Sequence, residues 1–471
     1  MGFLHGVEVI NINTGGKTIE TVRTSVIGLV GTAPIGPLNT MQLVTNAKQA
    51  ATLFGSQLTG FTIPQALDQI FAQGGGPIIV TNVFDSSTMV TAVVDEVNVV
   101  ASGKFKIAFA PIGGTIVVKH SSGSPTYVAG TDYKVDEFGN VTVLATITEA
   151  QSLKVSYSKL NAAGITASVV NGTISSGVYT GMETFNIAQS TFGFAPKIII
   201  APTYCELSAV ATKMIAISES LRAVCLIDGP SGTPSVSSVI GQRGLAGTWG
   251  GFKSASKNAM LLWPYLKRYD VATNATVLTP QSPYWAGLLS YNDRTTGFWV
   301  SPSNKQIQNI IGVEYPVQAQ LNNESSDTNL LNGAGISTLF QAFGTGVRTW
   351  GNRSASYPAA TTADTFLAVQ RVKNILAESV EFAMLDFVDQ PITKALIDAI
   401  RQSVNNYINA LKQRGALVDG FCNYNPDDNP DAQVAAGQLV FQINFAPPTP
   451  GERITFNSLL DTTLYSSLNK K

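Results

Sequence analysis

Histidine and cysteine are almost missing: His5, His120, Cys205, Cys225 and Cys422 are the complete set in 471 residues. No cysteine pair has metal spacing and no histidine lies near a cysteine in the chain. A zinc site built from three or four such ligands is therefore excluded. Three scattered thiols are too few for a disulfide framework and read as buried groups in a reducing compartment. Charge is scarce as well. Charged residues make up 13 %, about half the usual share of roughly 25 %. Thirty basic residues oppose 31 acidic ones, for a net charge of −1. That balance removes the electrostatic footprint of a direct nucleic-acid binder. It also leaves little repulsion between copies, which favours self-association. No apolar run approaches the ~18 residues needed to cross a bilayer. The opening Met1-Gly2-Phe3-Leu4-His5-Gly6 has neither a signal-peptide profile nor the myristoylation pattern. The expectation is a chain made and folded in a cytoplasm, without membrane insertion.

What is present is apolar material, 44 % of the chain, in a length that suggests several domains. Ser25 to Gly31 and Pro77 to Phe84 are nearly continuous apolar runs, the pattern of strands buried on both faces. Between them Ile63, Ala66, Leu67, Ile70 and Phe71 keep helical spacing, so the stretch reads as a β-α-β unit. The theme returns at Pro196 to Pro202, with a helix from about Leu207 to Leu221. The strand Ala223 to Asp228, another at Ala259 to Tyr265 and a helix over Pro283 to Asp293 follow. Such alternation predicts a sheet with helices on its faces.

From Ser86 to Ala163 the character changes to period-2, turn-rich text. Strands are expected at Thr115 to Lys119, Asp132 to Asp136, Val141 to Leu144 and Leu153 to Tyr157, with a hairpin at Asp136 to Asn140. This is read as an all-β domain inserted into the α/β one. The predicted organisation is an N-terminal arm over residues 1–17 and a discontinuous α/β core over 18–85 and 164–360. An inserted all-β outer domain over 86–163, an α+β C-terminal assembly domain over 361–446 and a C-terminal arm over 447–471 complete it.

In the C-terminal unit Phe366, Val369, Val372, Leu376, Val380, Ala383 and Phe387 mark one amphipathic helix. A second runs from Pro391 to about Arg414, with Leu396, Ile400, Val404, Tyr407 and Leu411 as its apolar stripe. Strands are expected at Leu417 to Tyr424 and at Leu439 to Phe445, where Leu439, Phe441, Ile443 and Phe445 share a face. Beyond Phe445 the stiff spacer Ala446-Pro447-Pro448-Thr449-Pro450-Gly451 leads to Glu452–Asn457, a strand pattern with Ile454 and Phe456 on one side. Val7, Val9, Ile10 and Ile12 form a matching segment beyond the Gly15-Gly16 connection. Strands at the extremities fold back onto their own domain or are donated to a neighbour's sheet edge.

Candidates for chemistry are few. Asp228 closes a strand and precedes Gly229-Pro230, where open α/β sheets place ligands; the competing reading is a turn residue. Gly229-Pro230-Ser231-Gly232-Thr233 lacks the Gly-Lys-Ser/Thr ending of a phosphate loop. Gly344 to Arg348 reads as a turn. Asp427, Asp428 and Asp431 form an acidic cluster without the glycine and glutamate of a calcium loop. No catalytic, cofactor-binding or metal residues are assigned, and no cofactor is expected.

The ordered motifs resemble the tail sheath proteins of contractile phage tails and related injection machines. They begin with His5-Gly6-Val7-Glu8-Val9, Thr24 to Pro34, Gly74 to Val80 and Tyr179-Thr180-Gly181-Met182. They continue with Ala195 to Pro202, Ala223 to Pro230, Pro283 to Gly287 and Pro302 to Lys305. Asn332 to Ile336, Gly346 to Arg353 and the Pro391 helix complete the set. The resemblance covers the chain except Ser86 to Ala163. It implies a virion protein assembled in the host cytoplasm. Homo-hexameric rings would stack helically around a tail tube protein, between baseplate and tail terminator proteins, and contract to drive the tube through a cell envelope. It also implies terminal arms that complete neighbours' sheets, and a tube contact made by a helix of the last domain. On that helix Lys394, Arg401 and Lys412, with Arg414 beyond, are the basic residues facing away from the apolar stripe; the competing reading is a solvated face. Two other functions stay open at this point: an α/β enzyme with an appended β module using the loop at Asp228, and another virion component such as a baseplate protein.

Overall fold

The computed structural model describes residues 18–144, 146–232, 235–243, 256–270, 273–342 and 344–469. The expected strand at Val7 to Ile12 lies outside them. The chain folds as a mixed α/β, multi-domain protein around one eight-stranded sheet. Its spatial order is Gln42–Val44, Ile78–Asn82, Ile27–Gly31, Ile198–Ile200, Val224–Asp228, Ala259–Leu262, Ile336–Ala342, Gly346–Trp350. The six inner strands run parallel and the two outermost pair antiparallel with their neighbours. The inner apolar runs become strands because both of their faces are covered. Ile27, Leu29, Ile78, Val80, Ile198, Ile200, Val224 and Leu226 face one layer. Val26, Val30, Ile79, Ile199, Cys225 and Ile227 face the other.

The helix Ile63–Ala72 covers the first layer with the residues its spacing marked, Ile63, Ala66, Leu67 and Ile70. Ser282–Thr295 lies beside it, one residue either side of the expected bounds or a little more. The two helices approach closely at Gly287, where a Cβ would stand 2.8 Å from the Ile70 carbonyl oxygen. Ser208–Ser220 covers the opposite layer through Val210, Met214 and Ile217. Gly344 takes positive φ in the turn between the last two strands of the sheet, but the expected turn over Gly344 to Arg348 is shorter than that: Gly346, also at positive φ, Val347 and Arg348 already pair in the last strand.

Residues 90–160 carry two small antiparallel sheets. One has the order Val90–Val99, Ser152–Leu160, Ile116–His120, Thr126–Tyr127; the other Lys104–Lys106, Asn140–Val143, Tyr133–Val135. They enclose a core of their own at Val100, Phe105, Val118, Tyr133, Val141, Leu153 and Val155. All four strands expected from alternation are present, and Asp136 closes the hairpin by accepting from the Phe138 and Asn140 amides. Val90–Val99 was not anticipated. Val94 and Asp95 together oppose Ser156, and Asp95 takes φ 55°. This β-bulge breaks the period-2 alternation on which a strand is recognised.

In the C-terminal unit, Leu367–Met384 continues into the short 3₁₀ turn Leu385–Phe387. The next helix is Lys394–Gln413, and its start corrects the expectation of Pro391. Thr393 holds extended backbone and its hydroxyl accepts from the Leu396 amide at 3.1 Å, a cap that fixes the first turn two residues beyond the proline. Leu396, Ile400, Val404, Tyr407 and Leu411 are all buried, joined by Ser403 and Ile408. The strands here are Asp419–Asn423 and Gln442–Ala446. The second is shorter than expected, because Leu439–Phe441 precedes the ladder and the Asn429 amide exchanges two hydrogen bonds with the Val440 backbone. Glu452–Asn457 is not a strand in the single chain. Ile454 and Phe456 are 75 % and 88 % exposed, and no described strand pairs with the segment.

Candidate assembly interface

Asp419–Asn423 and Gln442–Ala446 form a two-stranded antiparallel sheet with register Phe421↔Asn444 and Cys422↔Ile443. A lone two-stranded ribbon is marginal in water. Here Cys422, Phe441, Ile443 and Phe445 pack against Val404, Tyr407, Ile408 and Leu411 of the Lys394–Gln413 helix. Of the residues expected to receive an arm, Phe441, Ile443 and Phe445 thus face the helix. Leu439 stands ahead of the strand and is partly buried.

Asn405, on the same helix, reaches the neighbouring strand. Its amide oxygen accepts from the Cys422 amide at 2.8 Å and its nitrogen donates to the Cys422 carbonyl at 2.9 Å. It holds one position of Asp419–Asn423 as a third strand would. Among the described residues, Gln442–Ala446 has a strand partner on one side only.

The four basic residues are split. Lys394 is exposed at the helix start. Arg401 pairs with Asp398 at 3.0 Å on the same helix, and both are more than two-fifths exposed. Lys412 reaches Asp419 at 2.6 Å. The Arg414 guanidinium lies over the Trp299 ring, 5.3 Å from its centroid.

The tail leaves Gln442–Ala446 and is tied down at one point. The Arg353 guanidinium donates to both Glu452 oxygens, at 3.1 and 2.5 Å, while stacking over Phe366. Beyond it, among the described residues, Arg453 pairs with exposed Glu324 at 3.2 Å. Asn405 and the Arg353–Glu452 clamp were invisible to sequence reasoning, since their partners lie 17 and 99 residues away.

A polar seam joins the helix Leu367–Met384 to the α/β layers. Arg371 makes a two-pronged pair with Asp293, at 2.8 and 2.5 Å, both side chains almost fully buried. Burial pushes the Asp293 carboxyl up, with Arg371 opposing the shift. Lys197 donates to Glu378 at 2.6 Å and to the Leu221 carbonyl at 2.7 Å. Burial pulls the Lys197 ammonium down, against the Glu378 charge. The Gln370 and Asn374 side-chain amides both donate to the Asn258 side-chain oxygen, Oδ1. One whole side of this helix is therefore spoken for by polar partners within the molecule.

The chemical candidates find structural places. Asp228 is 1 % exposed and accepts from both the amide (2.8 Å) and the hydroxyl (2.5 Å) of Ser282. It is the last residue of its strand rather than a turn residue, and it ties the start of the Ser282–Thr295 helix to the sheet. Burial pushes its carboxyl up to about 7. Strand order reverses between Ile27–Gly31 and Ile198–Ile200, where such sheets hold ligands. There the Tyr204 hydroxyl meets that of Thr32 at 3.0 Å. Asp427 and Asp428 lie in a 3₁₀ turn and Asp431 opens a short helix. Among the described residues no three His, Cys, Asp or Glu side chains are placed to hold a metal ion, and no helix is long and apolar enough to cross a membrane.

Family models match in four stretches. The phage tail sheath protein central domain matches residues 177–355, and the phage tail sheath C-terminal domain residues 361–460. The N-terminal region of tail sheath protein Gp18 domain III matches residues 24–83, and a protein family of unknown function residues 85–191. The tail sheath protein of Burkholderia phage BcepMu is 39 % identical over 463 residues, 97 % of this chain and 96 % of the relative. Among solved structures, a sheath complex of the extracellular contractile injection system PVC, in its contracted state, superimposes with a TM-score of 0.61. It is 14 % identical and covers 98 % of this chain and 99 % of that one. The helical sheath of the anti-feeding prophage, also contracted, gives 0.60 at 16 % identity, over 98 % and 100 % of the two chains. A six-fold symmetrised baseplate of the same prophage gives 0.60 at 15 %, again over 98 % and 100 %. At these identities the structural likeness speaks for the fold.

Proposed function

The chain belongs to the phage tail sheath family, and from that premise we propose how it works as the structural protein of a contractile tail. Copies polymerise as hexameric rings, stacked helically around the tail tube between baseplate and tail terminator proteins. Contraction of this sleeve drives the tube through the host envelope. Assembly takes place in the host cytoplasm. Packed interfaces with two stable arrangements store the energy, so the work needs no nucleotide. The chain divides into arm 1–17, core 18–85 with 164–360, outer β domain 86–163, assembly domain 361–446 and arm 447–471.

The links between copies are the terminal strands, Val7, Val9, Ile10 and Ile12 at one end and Ile454 and Phe456 at the other. They add to the free edge of Gln442–Ala446, beside Phe441, Ile443 and Phe445. The observation that carries this reading is the pairing of an unfinished two-stranded sheet with an exposed apolar tail. With Asn405 engaging Asp419–Asn423, the other strand is left as the place of entry. Five backbone hydrogen bonds at about 1 kcal/mol net and two buried side chains at roughly 2 kcal/mol each give about 9 kcal/mol per arm. Ordering five or six residues costs about 1–2 kcal/mol each. One arm is then close to neutral, and only many arms acting together hold a polymer. The tube contact falls to the basic residues of the Lys394–Gln413 helix and its end, Lys394, Arg401, Lys412 and Arg414.

Deleting residues 1–16 tests the arm reading. The expected product is a folded monomer, with native circular dichroism, that forms no cylinders in negative-stain images. Normal cylinders from the truncated chain would refute it.

A further inference from the structure

The exposed pair Ile454 and Phe456 does not exhaust the tail. Leu459 and Leu460 are 89 % and 82 % exposed, and Leu464, Tyr465 and Leu468 are 69 %, 62 % and 79 % exposed. The last three lie on the 3₁₀ helix Thr462–Asn469. That helix has its own start: the Asp461 carboxylate accepts from the amide and the hydroxyl of Thr463, at 2.9 and 2.6 Å. A short tail segment that turns five large apolar side chains to water, three of them on a structured turn, has a contact surface elsewhere.

A second exposed apolar surface lies on a rigid part of the same chain. Phe382, Leu385 and Val388, at 42 %, 64 % and 61 % exposure, follow one another at i, i+3 and i+6 where the Leu367–Met384 helix passes into its 3₁₀ turn. Phe382 and Leu385 share a helix face three residues apart, and the Val388 amide closes on the Leu385 carbonyl at 3.3 Å just beyond the turn, so the three lie close together. Acidic Glu381, Asp386 and Asp389 flank it, and the sequence after the tail helix ends in Lys470-Lys471. Apolar matches apolar, and the two lysines beyond the plug are opposite in sign to Asp386 and Asp389, Glu381 being paired with Arg222 at 2.9 Å and the plug itself carrying one acid, Asp461.

We propose that the segment Leu459–Leu468 is a plug that seats on the Phe382–Leu385–Val388 stripe of a second copy of this chain. The inference rests on the self-assembly reading above and adds a contact separate from strand donation. Within one molecule the plug and the stripe are both exposed, so the tail does not cover its own stripe. The tail is pinned at Glu452, and Leu464 lies 12 residues further on. An extended chain of that length reaches about 40 Å, enough to cross onto an adjoining domain.

The cysteine inventory makes the test clean, because Cys205, Cys225 and Cys422 are all buried. Full-length Leu464→Cys protein is mixed with Leu385→Cys protein, assembled and mildly oxidised. Any disulfide between the two variants is then intermolecular. The expected result is a dimer band on a non-reducing gel from the mixture and none from either variant alone. Assembled particles without that band overturn the proposal. A second pair of variants separates plug from strand. Leu464→Asp with Leu468→Asp is expected to cut the assembled fraction at least several-fold while the monomer stays folded. Should that variant assemble like the parent while Ile454→Asp with Phe456→Asp fails, strand donation stands and the plug is wrong. Normal cylinders from Leu385→Asp that no longer hold the tube would assign the stripe to the tube and likewise end the proposal.

Discussion

At the scale of single residues, the interior of this protein contains more polar commitment than its composition suggests. The side chains of Asp228, Asp293, Lys197 and Arg371 are all buried, and all serve to fasten helices to the sheet or to one another. Asp228 has a measurable consequence. Its carboxyl rises from the ordinary 3.8 to about 7 on folding, with desolvation as the leading cause. Because the folded pKa is the higher one, the folded state holds the proton more tightly. The stabilisation this provides is complete below about pH 4 and is lost as the pH climbs through about 7. Asp228→Asn keeps the shape and an oxygen for the Ser282 amide but has no proton to lose. The variant is therefore expected to gain on the parent between pH 5 and pH 8, as read from urea midpoints at the two values. An identical pH trend in both proteins would mean that the folded-state Asp228 carboxyl is already ionised across this range and is not raised.

At the scale of elements, the Lys394–Gln413 helix illustrates what periodicity reveals and what it hides. Its five-residue apolar stripe could be read directly, because an amphipathic helix must bury one face wherever it lands. Its first residue could not, since a threonine cap outcompetes a proline two residues earlier only once the preceding chain is extended. Nor does spacing distinguish Asn405 from its polar neighbours, although its amide closes on the backbone of a strand. Asn405→Ala leaves both Cys422 backbone groups without that partner, at a cost of roughly 1–3 kcal/mol. Hydrogen exchange is expected to quicken at the Cys422 amide while the buried face of the helix stays protected. Unchanged protection there would show that the strand does not depend on the amide.

At the scale of the whole molecule, near-neutral charge and the exposed tail belong together. A chain with net charge −1 meets its own copies without a long-range barrier, and its unfinished sheet and apolar tail give them something to share. On the proposed reading, recognition of the tube falls to local charge. Lys394 is exposed, and among the described residues Arg401 pairs with a same-helix partner that is itself exposed, whereas Lys412 and Arg414 are turned toward Asp419 and Trp299. Lys394→Glu with Arg401→Glu is expected to reduce co-sedimentation with purified tubes at physiological salt. Raising the salt should weaken the parent protein in the same direction, as screening requires. Co-sedimentation that survives both changes would remove these residues from the contact.

Much of the architecture was decided locally. Apolar runs too continuous to sit at a surface became the inner strands, and period-2 text became the small sheets at residues 90–160. Scarce charge and absent ligand residues pointed away from catalysis toward assembly. These features are legible because each depends on neighbours within a few residues. Three things waited for the tertiary structure: the bulge that disguises Val90–Val99, the Asn405 hold on Cys422 and the Arg353–Glu452 clamp at the root of the tail. Each joins groups distant along the chain, or departs from a regular period, and so leaves no mark in the order of residues. That Glu452–Asn457 has a strand's sequence without a strand's conformation belongs with them, because a strand exists only where another chain segment offers its edge.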